Sequence, residues 1–252
     1  MKVFAYPSLS VRRRAEAIRT QVGHDPLYLT LLADLTTLSH RCRFALGADG
    51  ALVARYVDLP FAAISFYGQG DGLRQALCAV LDTGQSCYAL IGEAQREQLA
   101  AVTRVLGVDD EWQMICRCDP MSLDGGKAVL LGETDMLAMR SLAERGELHA
   151  FESNALDKGP YFGVWRDGRL VSMAGTHLEL EEMVEIGNVV TDPDYRRQGL
   201  AIMAVSAVVK ALQARGLLVL LQVFKSNAPA VALYERLGFE RSQTMVLVRF
   251  EL

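Results

Sequence analysis

The sequence predicts an α/β (α+β) chain of two modest domains, with β scaffolds that carry helices on their faces, and three observations support this. Asp49-Gly50 and Asp167-Gly168 each lie between apolar runs, the signature of a tight hairpin. Segments with apolar residues at helical spacing alternate with short runs rich in Val, Ile, Leu and aromatic residues. The 252 residues are 51% hydrophobic, enough for real cores and longer than one ordinary domain.

Along the chain, residues 11–22 and 26–41 read as helices, the second from Leu27, Leu31, Leu32, Leu35 and Leu38 at helical spacing. Strands follow at 44–47 and 52–56 around the Asp49-Gly50 turn, then at 62–67. The glycine-rich turn 68–72 leads to a helix at 73–83, a strand at 86–91, a helix at 96–106 and a strand at 111–117. Residues 119–127 collect turn formers without periodicity, so the domain boundary is expected at 124, giving domains 1–123 and 124–252. Beyond it come a strand at 128–131, a helix at 135–145, and a hairpin of 161–165 with 170–177. A strand through 186–190, a helix from Gly199, a strand at 217–224, a helix at 228–237 closed by Gly238, and a strand at 244–251 complete the chain. Phe162 and Trp165 read as hairpin core. Both halves run through a similar order of elements, so the first reads as a diverged copy of the second.

Charge narrows the function. A net charge of −4 and a pI near 5.6 argue against a general nucleic-acid or anionic-membrane binder. The five cysteines (Cys42, Cys78, Cys87, Cys116, Cys118) read as reduced core thiols, with Cys116-Arg-Cys118 too tightly spaced for a usual zinc or redox pair. The four histidines (His24, His40, His149, His177) show no metal-ligand spacing, so no metal is expected. Residues 53–67 are interrupted by Arg55, Asp58 and Pro60 and cannot span a bilayer, and no apolar secretion segment follows Arg12-Arg13-Arg14. A cytoplasmic location is the resulting expectation.

The most informative stretch is Asn188-Val-Val-Thr-Asp-Pro-Asp-Tyr-Arg-Arg-Gln-Gly-Leu-Ala201. It reads as a strand that runs through a basic turn into a helix. A helix N-terminus exposes unpaired N–H groups at the positive end of its dipole, and Arg196 and Arg197 add full charges, so a diphosphate can sit there. Gly199 lets phosphate oxygens approach the backbone, and Ala201 keeps the first helical turn slim.

Residues 128–252 resemble the GNAT superfamily of acyl-CoA-dependent N-acyltransferases in two motifs. Arg196-Arg-Gln-Gly199-Leu-Ala201 fits the family's Q/R-x-x-G-x-G/A loop, and Asn227-Ala-Pro-Ala230-Val-Ala-Leu233-Tyr234-Glu-Arg-Leu-Gly238-Phe239 fits its N-x-x-A-x-x-L-Y-x-x-x-G-F segment. The resemblance implies a mixed, mostly antiparallel sheet flanked by helices, two such domains in tandem, and acetyl-CoA as cosubstrate. It implies that Asn188, Val189, Val190 and Thr191 line the pantetheine arm beside a splay between the Asn188 and Val223 strands. Arg196, Arg197, Gln198, Gly199, Leu200 and Ala201 would hold the pyrophosphate, with Phe224, Asn227, Ala230 and Tyr234 completing the cofactor site.

Tyr234 is implied as the acid that protonates the departing thiolate, since a phenol of pKa near ~10 is protonated at neutral pH. Glu185, fourteen positions before Gly199, matches the placement of a general base in several members; Glu181, Glu182, His177 and an ordered water remain alternatives. Strand alternation would put Glu185, Gly187 and Val189 on one face. The expected activity is transfer of an acetyl group to a primary amine by direct attack in a ternary complex. The alternative is an acyl-CoA-binding sensor without turnover, and an interaction scaffold with no cofactor is a third reading. Residues 1–123 carry neither motif and read as a domain that shapes the acceptor cleft, supports the catalytic domain or mediates a homodimer.

Overall fold

The computed structural model describes residues 8–148 and 151–252, so His149 lies outside the described residues. The first elements are α1 (Leu9–Val22), α2 (Leu29–Leu35), β1 (Cys42–Leu46), β2 (Leu52–Tyr56), β3 (Ala62–Tyr67), α3 (Gly70–Val80), β4 (Cys87–Gly92), α4 (Glu93–Ala100) and β5 (Arg104–Cys116). They are followed by β6 (Val129–Leu131), α5 (Met136–Arg145), β7 (Tyr161–Arg166), β8 (Arg169–Glu179), β9 (Met183–Thr191), α6 (Leu200–Gln213), β10 (Leu218–Phe224), α7 (Ala228–Arg236) and β11 (Phe239–Glu251).

The described residues form two compact units, one of residues 8–111 with 244–252 and one within 112–243. This differs from a division at 124, for two reasons. β5 begins at Arg104, well before the expected strand at 111–117, and continues through position 111. The turn-rich stretch after it is fastened into the second unit: Leu123 is buried in that unit's core and its carbonyl accepts from Lys210 Nζ at 3.3 Å.

In the first unit the strand order is β1-β2-β3-β4-β11, antiparallel except for the parallel β3–β4 pair. Its core joins Val53, Phe66, Leu73, Leu77 and Ile91 with Val246, Val248 and Phe250 of the last strand. The expected helix at 26–41 is broken. Asp25 caps a 3-10 turn at Pro26–Tyr28, and α2 ends at Thr36, whose hydroxyl donates back to the Leu32 carbonyl at 2.5 Å. The helix at 96–106 likewise stops early: α4 ends at Ala100, and Val102 and Val105 reach the core from the turn after it and from the start of β5 rather than from a helical face.

The second unit has the order β5-β10-β9-β8-β7-β6, antiparallel through β6–β9 and parallel at β9–β10. Its β7–β8 hairpin turns on Asp167 (φ 50°) and Gly168 (φ 76°), two successive left-handed residues as the Asp-Gly signal requires. α6 and α7 cover one face, where Val184, Ile186, Val205, Val208, Val219, Leu221 and Val231 form the core with Phe162 packed against it. α5 covers the other, with Leu131, Leu142, Tyr161 and Met173 as core and Trp165 at its margin.

The units share an element order: three antiparallel strands, a helix, a strand parallel to the third, and a second helix. In the first unit the β3–α3 turn occupies the place of the basic turn of the second. There a Cβ on Gly47 would lie 1.9 Å from the Gly72 carbonyl oxygen, so the β1–β2 hairpin is packed directly on that turn.

All five cysteines are free. Burial raises the thiol pKa of Cys42 and of Cys87, and raises that of Cys116 to about 12. Cys78 departs from the core reading: it is exposed, off the stripe of Leu73, Ala76, Leu77 and Val80 that α3 buries. Cys116 and Cys118 Sγ approach to 2.9 Å despite their tight spacing.

Candidate active site

The site begins where two parallel strands part. β9 and β10 are in register at Met183–Leu218, Val184–Val219 and Glu185–Leu220, and the register ends there. β9 continues to Thr191 and β10 to Phe224, so a gap opens just beyond Glu185, between the Asn188 and Val223 segments.

The β8–β9 register shifts twice, between Met173 and Gly175 and between Thr176 and Leu178. At the first bulge Asn188 and Val189 oppose the single residue Ala174, and Asn188 takes φ 51°. An extra residue reverses the alternation beyond it. Val184, Ile186 and Val189 therefore all pack on the α6 face, and Glu185, Gly187 and Val189 do not share one face as simple alternation would have it. The Val190 side chain instead joins the α5 cluster. Asn188 Nδ2 donates to the Tyr161 hydroxyl at 2.6 Å, which fixes the bulge from below.

At the second bulge the extra residue is His177, which this irregularity brings beside Glu185. His177 Nδ1 lies 2.9 Å from Glu185 Oε1. Glu185 is buried, its side chain only 5% exposed, while His177 is 42% exposed. The other carboxylate oxygen, Oε2, is also buried and has no hydrogen-bond partner among the described residues. A buried acceptor without a donor costs about 1–3 kcal/mol, more when charged.

Past β9, Pro193–Tyr195 form a 3-10 turn, Arg197 takes φ 62°, and Gly199 takes φ 78° as the residue before α6. The first-turn N–H groups of α6 have no intrahelical acceptors. Space around Gly199 is open: a Cβ there would meet nothing within 4 Å. Arg196, Arg197, Gln198 and Gly199 are exposed, and Leu200 is buried beneath them against Val164 and Val171, with Ala201 half-buried. Arg196 Nε donates to the Thr191 carbonyl at 3.3 Å, and Thr191 Oγ1 meets Ser172 Oγ at 2.8 Å. The free N–H groups, the two guanidinium groups and the open space fit a diphosphate.

The turn is anchored by a residue that local sequence reading leaves as turn chemistry only. Asp192 is buried, with its carboxylate accepting from Arg145 Nε and Arg169 Nη2, each at 2.7 Å, and from the Asp194 N–H at 3.2 Å. Burial alone would raise its pKa, but the Arg145 bond, the Asp194 N–H and the charges of Arg169 and Arg145 outweigh it and hold the carboxyl below its ordinary value. These partners lie 47 and 23 residues away, so no local signal reveals them.

On the α6 face, Asn227 caps α7: its Oδ1 accepts from the Ala230 N–H at 3.3 Å. Ala230 packs against the core, and Phe224 is exposed at the end of β10. Tyr234 is buried in the same core, edge-on to Phe239 with ring centroids 5.8 Å apart. Burial pushes its phenol up to about 12, and among the described residues its hydroxyl has no hydrogen-bond partner. Tyr234 and Glu185 thus approach the sheet from opposite faces. No group of three or more His, Cys, Asp or Glu among the described residues is arranged to hold a metal ion.

Residues 133–239 match the Acetyltransferase (GNAT) family. The ribosomal protein bS18-alanine N-acetyltransferase of Escherichia coli (strain K12) is 34% identical over 118 residues, which are 44% of this chain and 79% of that protein. The chain belongs to the GNAT acetyltransferase family. A solved GNAT-family putative acetyltransferase from Novosphingobium aromaticivorans DSM 12444 is 31% identical, covers 79% of this chain and 87% of its own, and superposes with a TM-score of 0.66. A GCN5-related N-acetyltransferase-like protein from Streptococcus suis 89/1591 shares the fold over 96% of this chain and all of its own, with a TM-score of 0.67 at 16% identity. Membership makes this chain an acyltransferase, and GNAT acetyltransferases use acetyl-CoA as cosubstrate. No helix among the described residues is long and apolar enough to cross a membrane.

Proposed function

We propose that this GNAT enzyme binds acetyl-CoA in its second unit and transfers the acetyl group to a primary amine by direct attack in a ternary complex. The observation that carries the reading is the parting of β9 and β10 immediately beyond Glu185, with Tyr234 packed on one face of the sheet and the Glu185 carboxylate on the other. Bound acetyl-CoA would supply an activated acyl thioester. Gly199, Leu200 and Ala201 would donate backbone N–H groups to the pyrophosphate, with Arg196 and Arg197 adding charge and Gln198 a polar contact. Main-chain groups of Asn188, Val189, Val190 and Thr191 would line the pantetheine arm, flanked by Phe224, Asn227 and Ala230.

Glu185 Oε2 takes the proton of the attacking amine, so the nitrogen has a lone pair for the new N–C bond. As the C–S bond breaks, its electron pair goes to sulfur, and Tyr234 supplies the proton there. A phenol raised to about 12 is fully protonated at neutral pH and so presents its O–H to the developing thiolate; with a thiol's ordinary pKa at about 8.5, the raised value keeps the proton available and does not itself drive the transfer. Acid and base on opposite faces let the amine enter on one side and the thiol leave on the other.

We assign the first unit a supporting part, shaping the acceptor cleft or mediating a homodimer. Its β3–α3 turn is filled by its own hairpin, which supports a single cofactor site per chain. A catalytic domain within 112–243 replaces the boundary at 124 in this proposal. The relatives named for N-acetylating an alanine of ribosomal protein bS18 place peptides beginning with alanine first among acceptors to try. The test is release of coenzyme A thiol from acetyl-CoA with a panel of such peptides, free amino acids, polyamines and aminoglycosides. Amine-dependent release with a matching acetylated product is expected; tight acetyl-CoA binding without transfer to any amine would return the sensor reading.

A further inference from the structure

A second buried acceptor lies beside Glu185 and has no place in the chemistry described so far. On β10, Val219, Leu221 and Val223 pack in the α6 core, so Leu220 and Gln222 point to the opposite face, the one that carries Glu185. Leu220 is the register partner of Glu185, which puts Gln222 one step diagonally onward, at the mouth of the gap. Diagonal neighbours on paired strands are roughly 7–8 Å apart at Cα, and the parting of β9 and β10 beyond Leu220 adds to that span, across which the Glu and Gln side chains can reach one small group between them. Gln222 Oε1 is buried without a hydrogen-bond partner among the described residues, as Glu185 Oε2 is. Gly187, the next residue on the Glu185 face, contributes no side chain; a Cβ there would stand 3.0 Å from that of His177. His177 occupies only Oε1 of the carboxylate and leaves Oε2 for a ligand.

Two buried oxygens that receive no hydrogen bond, one of them a carboxylate's, suit a small cation rich in N–H groups. We propose that Glu185 Oε2 and Gln222 Oε1 form a cradle for the acceptor nitrogen in its ammonium form, which makes Gln222 a specificity-determining residue that selects primary amines. The proposal rests on the acetyl-transfer reading for its biological sense, since the cradle holds the nitrogen whose proton Glu185 then accepts. A primary ammonium brings three N–H donors, enough to satisfy both oxygens and still turn one bond toward the gap between β9 and β10. A quaternary ammonium carries the same charge and no donor.

The test needs no knowledge of the natural acceptor. Methylammonium chloride and tetramethylammonium chloride are titrated at equal ionic strength into the full chain while its side-chain amide resonances are followed by NMR, with that of Gln222 identified by its loss in Gln222→Met. Methylammonium should shift the Gln222 amide saturably and tetramethylammonium should not. In Glu185→Gln the apparent affinity should fall about 10-fold or more, as expected on losing a hydrogen bond to a charged group. In the Gln222 variants, which lack that resonance, binding is followed at the backbone amide of Gly187 on the same face; Gln222→Glu, which keeps the shape and adds charge, should bind methylammonium more tightly, and it serves both assignment and test if Gln222→Met fails to fold. Equal responses to the two cations, or methylammonium affinity unchanged in the Gln222 variants, would overturn the cradle. Because acetyl-CoA is absent from the titration, a functioning cradle in a chain that transfers no acetyl group would refute the transfer reading alone.

Discussion

Replacing Asp192 by Asn tests whether the basic turn is held from beneath. The carboxylate is 2% exposed and accepts from two guanidinium groups and one backbone N–H. Breaking a buried ion pair by removing one charge costs about 3–5 kcal/mol. Here the Arg145 and Arg169 side chains are 28% and 44% exposed, so water can serve both once the charge is gone, and the expected cost falls to about 2–3 kcal/mol. For a chain of this size each kcal/mol corresponds to about 2–4 °C, so Asp192→Asn should melt roughly 4–12 °C lower. Its KM for acetyl-CoA should rise as well, because the first turn of α6 loses its support. The pH dependence has a definite sign. A carboxyl whose folded pKa is depressed contributes stability above its unfolded value near ~3.9, and that contribution is lost as pH falls through the folded value. Melting temperature measured from pH 7 down to the acid range should therefore fall less steeply below pH ~4 in the variant than in the wild type. A melting temperature within about 2 °C of wild type at pH 7 would refute the anchoring argument.

Three further outcomes follow from the site and the cores. Tyr234→Phe should lower kcat about 100-fold while acetyl-CoA KM moves less than threefold; an unchanged kcat in steady-state assays would remove the acid role. Gly199→Ala meets no steric neighbour, so its cost is the left-handed backbone alone, about 1–2 kcal/mol by urea denaturation, with weaker acetyl-CoA binding by calorimetry; wild-type values for both would contradict the turn geometry. With an aromatic disulfide reagent, exposed Cys78 should label in the native state, whereas Cys42 and Cys116, buried with raised thiol pKa, should label only on unfolding, and mass mapping of the labelled peptides decides this.

The features legible in the sequence are those written in local chemistry. The β7–β8 turn needed two left-handed residues and Asp167-Gly168 advertised them. The Asn227 cap of α7 and the left-handed φ of Gly199 likewise depend on residues within one turn. What escaped depends on partners far along the chain. Asp192 finds Arg145 and Arg169 only through the packing of α5 and β8 against β9. The bulges at His177 and Asn188 are properties of strand pairing, and they undid a face assignment made from alternation alone. The division of the chain was hidden for a similar reason: positions 111 and 243, where it falls along the sequence, lie inside β5 and β11. Gln222 was within reach, as one polar residue among Val219, Leu221 and Val223, but its meaning depends on Glu185 lying on the same face.

The central claim is that the gap between β9 and β10 receives the thioester, with the basic turn at one end and Glu185 and Tyr234 on either side. A crystal structure with acetyl-CoA bound tests it most directly. The account predicts pyrophosphate oxygens about 3 Å from the N–H groups of Gly199 to Ala201, the thioester between β9 and β10, and the Tyr234 hydroxyl nearest the sulfur. Coenzyme A bound away from the Arg196–Ala201 turn, or a thioester with Glu185 and Tyr234 on the same side of it, would contradict the account.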